Sequence, residues 1–331
     1  MGIRDFLHSR HKKAAMDEGS SSSPGVLTEE EKEQFRTDGY VHLRSCFTPA
    51  QAQAVIQDVW TRLGMDPDDK ATWTAMWTNM PHHRTFDAAE FAPRAWAAIC
   101  ELCGGEDRVS PYSREWRDSL IVNLGAPDLE GVEIPPQRLE GWHVDGDFFV
   151  HYLDSPEQGL LVVPLFTDIV PGGGGTVICP DSIPRIARHL LDNPAGVSPG
   201  MAPRGHRDFG SEREGSWFRD AAASCGRFVE VAGRCGDVFL LHPLMLHTVS
   251  TNPRRLPRII TNPPVSLREP FVFDRADGNY TLVEQATLRA LGRDRLEGWR
   301  ITGPRELIVP GRIQAQEKMK EDELKRMEGR A

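Results

Sequence analysis

Near its beginning the chain alternates between helical and strand-like patterns of apolar residues. Thr28 precedes three glutamates, which predicts a helix start, because a hydroxyl caps free amides and carboxylates favour the positive end of the helix dipole. This helix should end near Gly39. The next run, YVHLRSCF, has the alternation of a half-buried strand, and Thr48 with Pro49 begins a second helix. The predicted opening order is therefore helix, strand, helix.

From about residue 118 the pattern changes to short apolar runs separated by Gly, Pro and Asp. The runs are SLIVNLG, GLLVVPLFTDI, TVICP, FVEVAG, DVFLLH and RIITNPPVSL. Each is typical of a β-strand. Their close spacing favours a β-sandwich or barrel over alternating β-α-β units.

The length of 331 residues and the distribution of Gly, Pro and Asp between the apolar runs suggest one elaborated domain over residues 27–310. Residues 1–26 lack the apolar core of a secretory signal and are predicted to be a mobile leader. Residues 193–220 are rich in Gly, Pro and charge, as in a functional insertion or lid. The charged tail, residues 311–331, predicts a solvated helix, with a homodimer contact as the alternative.

Charge and cysteine content exclude several classes of protein. The 48 acidic and 39 basic residues leave a net charge of −9, which argues against a nucleic-acid partner. No apolar run approaches the roughly 20 residues that cross a bilayer, which argues against a membrane protein. Six scattered cysteines predict reduced thiols and a cytoplasmic location. Cys100 and Cys103 form a CxxC without a second ligand pair, so a buried helix face is the better interpretation than zinc.

The most informative motif is GWHVDGD, which contains His143 and Asp145. Residues two apart on a strand point to the same face, so both side chains can reach one ion. A second imidazole, His247, would complete two histidines and one carboxylate, the facial triad of non-haem Fe(II) oxygenases. His242 in the same region is the competing ligand, but only His247 is followed eleven residues later by Arg258.

Arg258 is a candidate clamp for a carboxylate. A planar guanidinium can hold a carboxylate with two parallel hydrogen bonds, as a buried dicarboxylic cosubstrate requires. Arg254 and Arg255 are alternatives, but their position beside Pro253 predicts a solvent-exposed turn.

Together these motifs resemble the phytanoyl-CoA dioxygenase family of Fe(II)- and 2-oxoglutarate-dependent oxygenases. The resemblance lies in GWHVDGD, in the turn PGGGGTVICPDS and in GDVFLLHPLMLHTVSTN with its trailing arginine. The opening segment TEEEKEQFRTDGYVHLRSCFTPAQ is also similar to the family's first helix and strand. The resemblance spans about residues 27–265.

The resemblance implies a mainly β fold with flanking helices, in which the strands form a double-stranded β-helix, the jelly-roll barrel. It assigns Fe(II) to the side chains of His143, Asp145 and His247, and the distal carboxylate of 2-oxoglutarate to Arg258, with Thr176 and Asn123 as further cosubstrate contacts. Val249 departs from the family pattern, which has a hydroxyl there. The presence of Asp145 argues against halogenation.

The implied reaction uses O2 and 2-oxoglutarate to oxidise a small-molecule substrate, with release of succinate and CO2. Hydroxylation is the first expectation, and desaturation or cyclisation stays open. A substrate from specialised metabolism is favoured over phytanoyl-CoA, because the resemblance is confined to the metal and cosubstrate motifs. Three alternatives remain: an iron oxidase that uses no 2-oxoglutarate, a silent barrel that acts as a binding module, and a zinc hydrolase with the same ligands.

Two groups of residues near these motifs allow two interpretations each. His151 and Tyr152 follow the metal motif closely, so they line the pocket or serve only as hydrogen-bonded packing residues. Arg204, His206 and Arg207 in the insertion could meet an anionic substrate, although a solvated charged loop is the simpler interpretation.

Overall fold

Among the residues that the structure describes, helices dominate the first and last parts, and short strands dominate the middle. The structure, a computed structural model, describes residues 25–210 and 216–329. The predicted leader, residues 1–26, lies outside the described residues except for its last two, and so do residues 211–215 of the predicted insertion.

The described ranges contain several helical segments. The α-helices are α1 Glu29–Asp38, α2 Pro49–Ile56, α3 Val59–Leu63, α4 Ala88–Phe91, α5 Pro93–Cys103, α6 Ser182–Asp192, α7 Trp217–Ala223, α8 Leu282–Leu291 and α9 Arg312–Glu328. Short 3-10 turns span Lys70–Thr72, Pro111–Arg114, Pro127–Leu129 and Pro136–Arg138.

The strands are short. They are β1 Tyr40–Leu43, β2 Trp77–Asn79, β3 Thr85–Asp87, β4 Glu115–Arg117, β5 Ile121–Asn123, β6 Leu160–Pro164, β7 Thr176–Cys179, β8 Val229–Glu230, β9 Val238–Leu241, β10 Leu246–Val249, β11 Arg258–Ile260 and β12 Pro264–Val265. Every apolar run that was predicted as a strand contains one of them.

The predicted helix boundaries near the beginning of the chain are confirmed. The Thr28 hydroxyl accepts a hydrogen bond from the Glu31 amide at the start of α1, and Gly39 ends that helix with a φ of 70°. The second predicted helix forms as α2 and α3, which end at Gly64 with a φ of 69°. Only glycine adopts such a left-handed conformation without a steric penalty. These local signals therefore determine where the helices stop.

All strand pairs are antiparallel. Within the described residues the sheet orders are β1-β9-β6-β12, β10-β7-β8, β11-β5-β2 and β3-β4. The helices are longer than the strands, so the chain is a mixed helix and strand protein, and the expectation of a mainly β chain is met only in part. The antiparallel sheets agree with a jelly-roll arrangement, and closure of the barrel stays a prediction.

The core lies on both faces of β6. Leu160 and Val162 belong to the larger apolar cluster, and Leu161 and Val163 to the smaller one. Because successive strand residues point to opposite faces, β6 separates two apolar layers. All five residues of β6 are buried, which explains why its sequence is continuously apolar.

The charged tail forms the predicted helix, α9, but one of its charged side chains is buried and not solvated. Glu323 is only 1% exposed and accepts hydrogen bonds from Arg62 at 2.9 Å and His83 at 2.7 Å. The prediction of a solvated helix is therefore wrong for this residue, because its charge is satisfied inside the fold. None of the described helices combines the length and apolar character needed to cross a bilayer.

Candidate metal centre

Three predicted ligands converge at one point of the structure. One potential ligand atom from each of His143, Asp145 and His247 lies within 4.8 Å of the other two. The segment that contains His143 runs antiparallel to β10, and His143 and His247 exchange two backbone hydrogen bonds of 3.0 Å. Directly opposed residues of an antiparallel pair project to the same face, so this pairing places both imidazoles side by side.

Backbone carbonyls orient both imidazole rings. Nδ1 of His143 lies 2.7 Å from the Gly141 carbonyl oxygen, and Nδ1 of His247 lies 3.0 Å from that of Met245. A carbonyl only accepts, so each Nδ1 carries the proton and donates it. In the neutral rings each Nε2 then carries a lone pair that can bind a metal, and both Nε2 atoms face Asp145 Oδ1, at 3.5 and 3.4 Å. Metal-ligating histidines are typically oriented in this way: the ring nitrogen that does not bind the metal donates a hydrogen bond to a protein acceptor.

Asp145 supplies the negative charge of the site. Burial acts to raise the pKa of its carboxyl, but in the metal-free protein protonation of the two imidazoles would add hydrogen bonds and positive charge that outweigh burial, so the pKa lies below its ordinary value. Its second oxygen, Oδ2, accepts a hydrogen bond of 3.4 Å from Asn262 Nδ2. The side chains of Asp145 and His247 are 18% and 9% exposed and that of His143 is 49% exposed, so the group opens on one side. A carboxylate and two neutral imidazoles suit a divalent transition metal and leave other positions of an octahedron open.

Arg258 is a buried cation. It begins β11 and is 1% exposed, and among the described residues it forms no ion pair. Nε donates to the Gly174 carbonyl at 2.7 Å, and Nη1 donates to that of Ile121 at 3.2 Å. Burial lowers the pKa of Arg258 to about 10, against the opposing effect of the Glu230 charge, so the guanidinium stays protonated at neutral pH.

The remaining donors of Arg258 lie along one edge of the guanidinium. Of its five N–H groups, the second on Nη1 and both on Nη2 have no partner among the described residues. Two adjacent nitrogens with free N–H groups match the two oxygens of a carboxylate.

Asn123 and Thr176 lie close to Arg258 along the strands. Asn123 is paired with Arg258 across β5 and β11, and its Nδ2 donates to the Gly174 and Ser250 carbonyls at 3.1 and 2.8 Å. Both amide donors of Asn123 are thus used within the protein, and its predicted cosubstrate contact stays a prediction.

Thr176 begins β7 two residues after Gly174, whose carbonyl holds Arg258. It is opposite Val249 on β10, while His247 is opposite Ile178. Thr176 and His247 therefore point to the same face, about 7 Å apart along the strand direction. This position is compatible with the predicted contact between Thr176 and a molecule that spans from the metal centre toward Arg258.

The alternative candidates for the metal ligand and for the carboxylate clamp make other contacts. Nε2 of His242 lies 2.9 Å from Thr287 Oγ1, and its Nδ1 accepts from the Leu244 amide at 3.1 Å, so both ring nitrogens are engaged away from the triad. Arg254 is exposed, as predicted. Arg255 is only 5% exposed, so the expectation of an exposed turn is wrong for this residue. Its backbone φ of 46° turns the chain, and its guanidinium lies 5.5 Å from the centre of the Trp73 ring.

The basic residues of the insertion do not converge on the metal centre. Arg204 pairs with Glu306 at 3.2 Å and donates to the Ala195 carbonyl at 2.9 Å. His206 and Arg207 are exposed. These contacts favour the interpretation of a solvated charged loop.

A small cavity adjoins Asp145. Its lining residues are Asp145, Phe149, His151, Tyr152, Leu153, Ser155, Gln158, Pro243, Leu244 and Phe271. The structure therefore places His151 and the Tyr152 ring at a pocket, which is one of the two interpretations that the sequence allowed. Sequence reasoning missed Asn262, Ser155 and Gln158, because an isolated amide or hydroxyl in a loop carries no signal of its own.

Comparisons with known proteins find distant likenesses only. No family model matches the sequence, and no curated protein matches it. EctD from S. alaskensis with bound Fe is 16% identical over 86% of this chain and 89% of its own, with a TM-score of 0.43. SnoK, the non-heme alpha ketoglutarate dependent carbocyclase from nogalamycin biosynthesis, is 17% identical over 86% and 97%, with a TM-score of 0.39.

A third solved structure is HygX from Streptomyces hygroscopicus with nickel and 2-oxoglutarate bound. It is 13% identical over 75% of this chain and 90% of its own, with a TM-score of 0.38. Likenesses at this level do not identify the reaction of the present chain. Membership of the phytanoyl-CoA dioxygenase family stays a prediction from the motifs.

Proposed function

We propose that this protein is an Fe(II)- and 2-oxoglutarate-dependent oxygenase that oxidises a small molecule. One observation carries the proposal: a triad of two histidines and a carboxylate includes His247 of β10, and the neighbouring strand β7 is preceded by Gly174, whose carbonyl holds a buried arginine that forms no ion pair among the described residues. The triad can bind a metal ion, and the arginine can bind an anion.

The donor set fits ferrous iron. His143 and His247 present Nε2 atoms whose tautomers are determined by backbone carbonyls, and Asp145 adds one negative charge. Two neutral nitrogens and one carboxylate oxygen on one face form the facial triad that Fe(II) oxygenases use. Zinc accepts the same ligands, so the metal alone does not decide the reaction.

Arg258 favours the oxygenase over the zinc hydrolase and over an oxidase without 2-oxoglutarate. A buried charge is costly unless a partner compensates it, and among the described residues Arg258 has no carboxylate partner. The free edge of its guanidinium suits the distal carboxylate of a dicarboxylic acid. We propose that Thr176, which lies opposite Val249 and so shares a strand face with His247, donates its hydroxyl to the same molecule.

An Fe(II) ion at this site supplies the redox chemistry by which dioxygen oxidises 2-oxoglutarate to succinate and CO2 and also oxidises a C–H bond of the substrate. The residues of the chain bind and orient the reactants. Asp145 and the two imidazoles hold the metal on one side, and Arg258 anchors the cosubstrate. Hydroxylation is the proposed outcome, in the cytoplasm and on a substrate from specialised metabolism.

The test is an anaerobic titration of the metal-free protein with Fe(II) and then with 2-oxoglutarate. We expect the weak visible charge-transfer band of the iron–2-oxoglutarate chelate in the wild type and none in His247→Ala. Binding of 2-oxoglutarate should be accompanied by succinate release once oxygen and a substrate are admitted.

His242→Gln is the matched control, because His242 is a buried imidazole of the same region that lies outside the triad. It should retain the band. A band of equal strength in wild type and His247→Ala would remove His247 from the site. Absence of the band from a folded, iron-loaded wild type would refute the use of 2-oxoglutarate.

A further inference from the structure

The cavity beside Asp145 has a mixed wall. Phe149, Leu153, Leu244 and Phe271 supply apolar surface, and each of them is at most 7% exposed. The space that admits water-sized groups is about 20 Å³, enough for one small chemical group. The cavity therefore suits the end of a substrate that lies next to the metal.

His151 contributes a hydrogen-bond acceptor to this wall. It is 4% exposed, and its Nε2 lies 2.7 Å from the Gly146 carbonyl oxygen. That carbonyl accepts, so Nε2 carries the proton and Nδ1 keeps its lone pair. Nδ1 has no partner among the described residues. Burial lowers the pKa of His151 to about 4, which keeps the ring neutral near pH 7.

Gln158 contributes a second acceptor by the same logic. It is 6% exposed, and its Nε2 faces the Leu160 carbonyl oxygen at 3.5 Å. Since a carbonyl does not donate, the amide must direct its NH2 group there and leave Oε1 as an acceptor. Oε1 has no partner within the part of the chain that the structure describes.

Ser155 completes the polar side of the cavity. Its Oγ accepts a hydrogen bond of 2.9 Å from the Tyr152 amide, so its own O–H is left to donate. The Tyr152 hydroxyl, in contrast, donates to the Pro304 carbonyl at 2.7 Å and lies 3.2 Å from that of Ala195, so it is engaged outside the cavity. The wall thus offers two acceptors and one donor.

This set of groups discriminates between classes of substrate. A hydroxyl both donates and accepts, so it can pair with an acceptor and with Ser155. A carboxylate only accepts and would face two acceptors, and neither Lys nor Arg lines the cavity to compensate its charge. A purely apolar group would leave His151 and Gln158 unpaired, which costs about as much as a lost hydrogen bond.

We propose that His151 and Gln158 are specificity-determining residues that bind a hydroxyl group of an otherwise apolar, uncharged substrate next to the metal. The proposal rests on the proposed function in that it takes this cavity as the substrate pocket. It names the substrate class: uncharged molecules that carry a hydroxyl group.

The test measures binding rather than turnover. The full chain, with Zn(II) at the triad and oxygen excluded, is titrated with two matched uncharged probes, benzyl alcohol and toluene. Dissociation constants come from ligand-observed NMR. We expect benzyl alcohol to bind about tenfold more tightly than toluene. In His151→Phe and in Gln158→Leu the alcohol-to-toluene ratio should fall toward one.

Tyr152→Phe is the matched control, since Tyr152 lines the same cavity and its hydroxyl donates to Pro304, which is not a lining residue. It should keep the preference for the alcohol. Thermal unfolding checks that each variant folds. Because there are two independent variants, the proposal can still be tested if one of them does not fold. If a folded variant keeps the preference for the alcohol, the role of the substituted residue is overturned. If the wild type shows no preference for the alcohol, or does not bind it, the whole proposal is overturned.

The two proposals fail separately. Lack of 2-oxoglutarate binding refutes the oxygenase, while the probe titration, which uses Zn(II) alone, still reports on the cavity. Loss of alcohol preference refutes the cavity assignment and leaves the iron and 2-oxoglutarate titration intact.

Discussion

Glu323, near the end of the chain, accepts a hydrogen bond of 2.9 Å from Nε of Arg62 in α3, and both side chains are 1% exposed. Arg62 also pairs with Asp118 at 3.2 Å. The helix α9 is therefore attached to the domain through a buried charge network, although most of its surface is polar and exposed.

Removal of Glu323 should destabilise the fold strongly. Glu323→Ala leaves Arg62 buried with one carboxylate partner fewer, and breaking a buried pair in this way costs about 3–5 kcal/mol in free energy of unfolding. Chemical denaturation measures the effect. Glu328→Ala changes an exposed residue of the same helix and should stay within about 0.5 kcal/mol of the wild type. Equal effects of the two substitutions would contradict the network.

Replacement of Arg258 should weaken 2-oxoglutarate binding more than metal binding. Arg258→Lys keeps a positive charge but loses both the bidentate edge and the hydrogen bond to Gly174. We expect the dissociation constant for 2-oxoglutarate to rise at least about tenfold, with Fe(II) affinity near that of the wild type. Calorimetric titration under anaerobic conditions measures both.

Arg254→Lys is the control for that substitution, because Arg254 is an exposed arginine four residues earlier on the same segment. It should leave both affinities unchanged. If Arg258→Lys reduced Fe(II) and 2-oxoglutarate binding equally, the arginine would have a structural role and no specific role as a carboxylate clamp.

Asn262 should support the metal ligand that it contacts. Its Nδ2 donates to Asp145 Oδ2 at 3.4 Å, and partners of metal ligands typically change metal affinity by about 10–100-fold. The hydrogen bond is long, so we expect Asn262→Ala to weaken Fe(II) binding by about tenfold. Competition with a chelator measures the change. Asn279→Ala, at an exposed position, should have no effect, and a similar result for both would exclude a role for Asn262.

The buried His242 should make stability depend on pH. Burial lowers its pKa to about 3 in the folded protein, whereas an unfolded histidine has a pKa of about 6.5. Between these values the unfolded chain binds the extra proton, so stability is complete above about pH 6.5 and falls as the pH falls. The contribution approaches about 1.4 kcal/mol per pH unit.

Denaturation curves between about pH 5.5 and 4.5 test this dependence. His242→Gln should reduce the slope of the unfolding free energy against pH by the amount that corresponds to about one bound proton. Thr287→Val removes the hydroxyl partner of His242 but keeps the titrating ring, so it should lower stability and keep the slope. A slope that is unchanged in His242→Gln would show that His242 does not titrate on unfolding.

Local features of the sequence predicted most of the secondary structure. The capping hydroxyl of Thr28, the glycines at 39 and 64 and the short apolar runs act through interactions within a few residues, so they operate before any tertiary contact exists. The spacing of His143 and Asp145 is equally local, since a strand places residues two apart on one face.

What the sequence by itself determined, then, is the set of elements and the first two ligands of the metal centre. Tertiary structure decided the rest. His247 reaches His143 only through the register of β10, the burial of Arg255 follows from a turn over Trp73, and Glu323 is buried because Arg62 lies beneath α9. These contacts join residues far apart in the chain, and their formation depends on sheet pairing and packing, which no local pattern encodes.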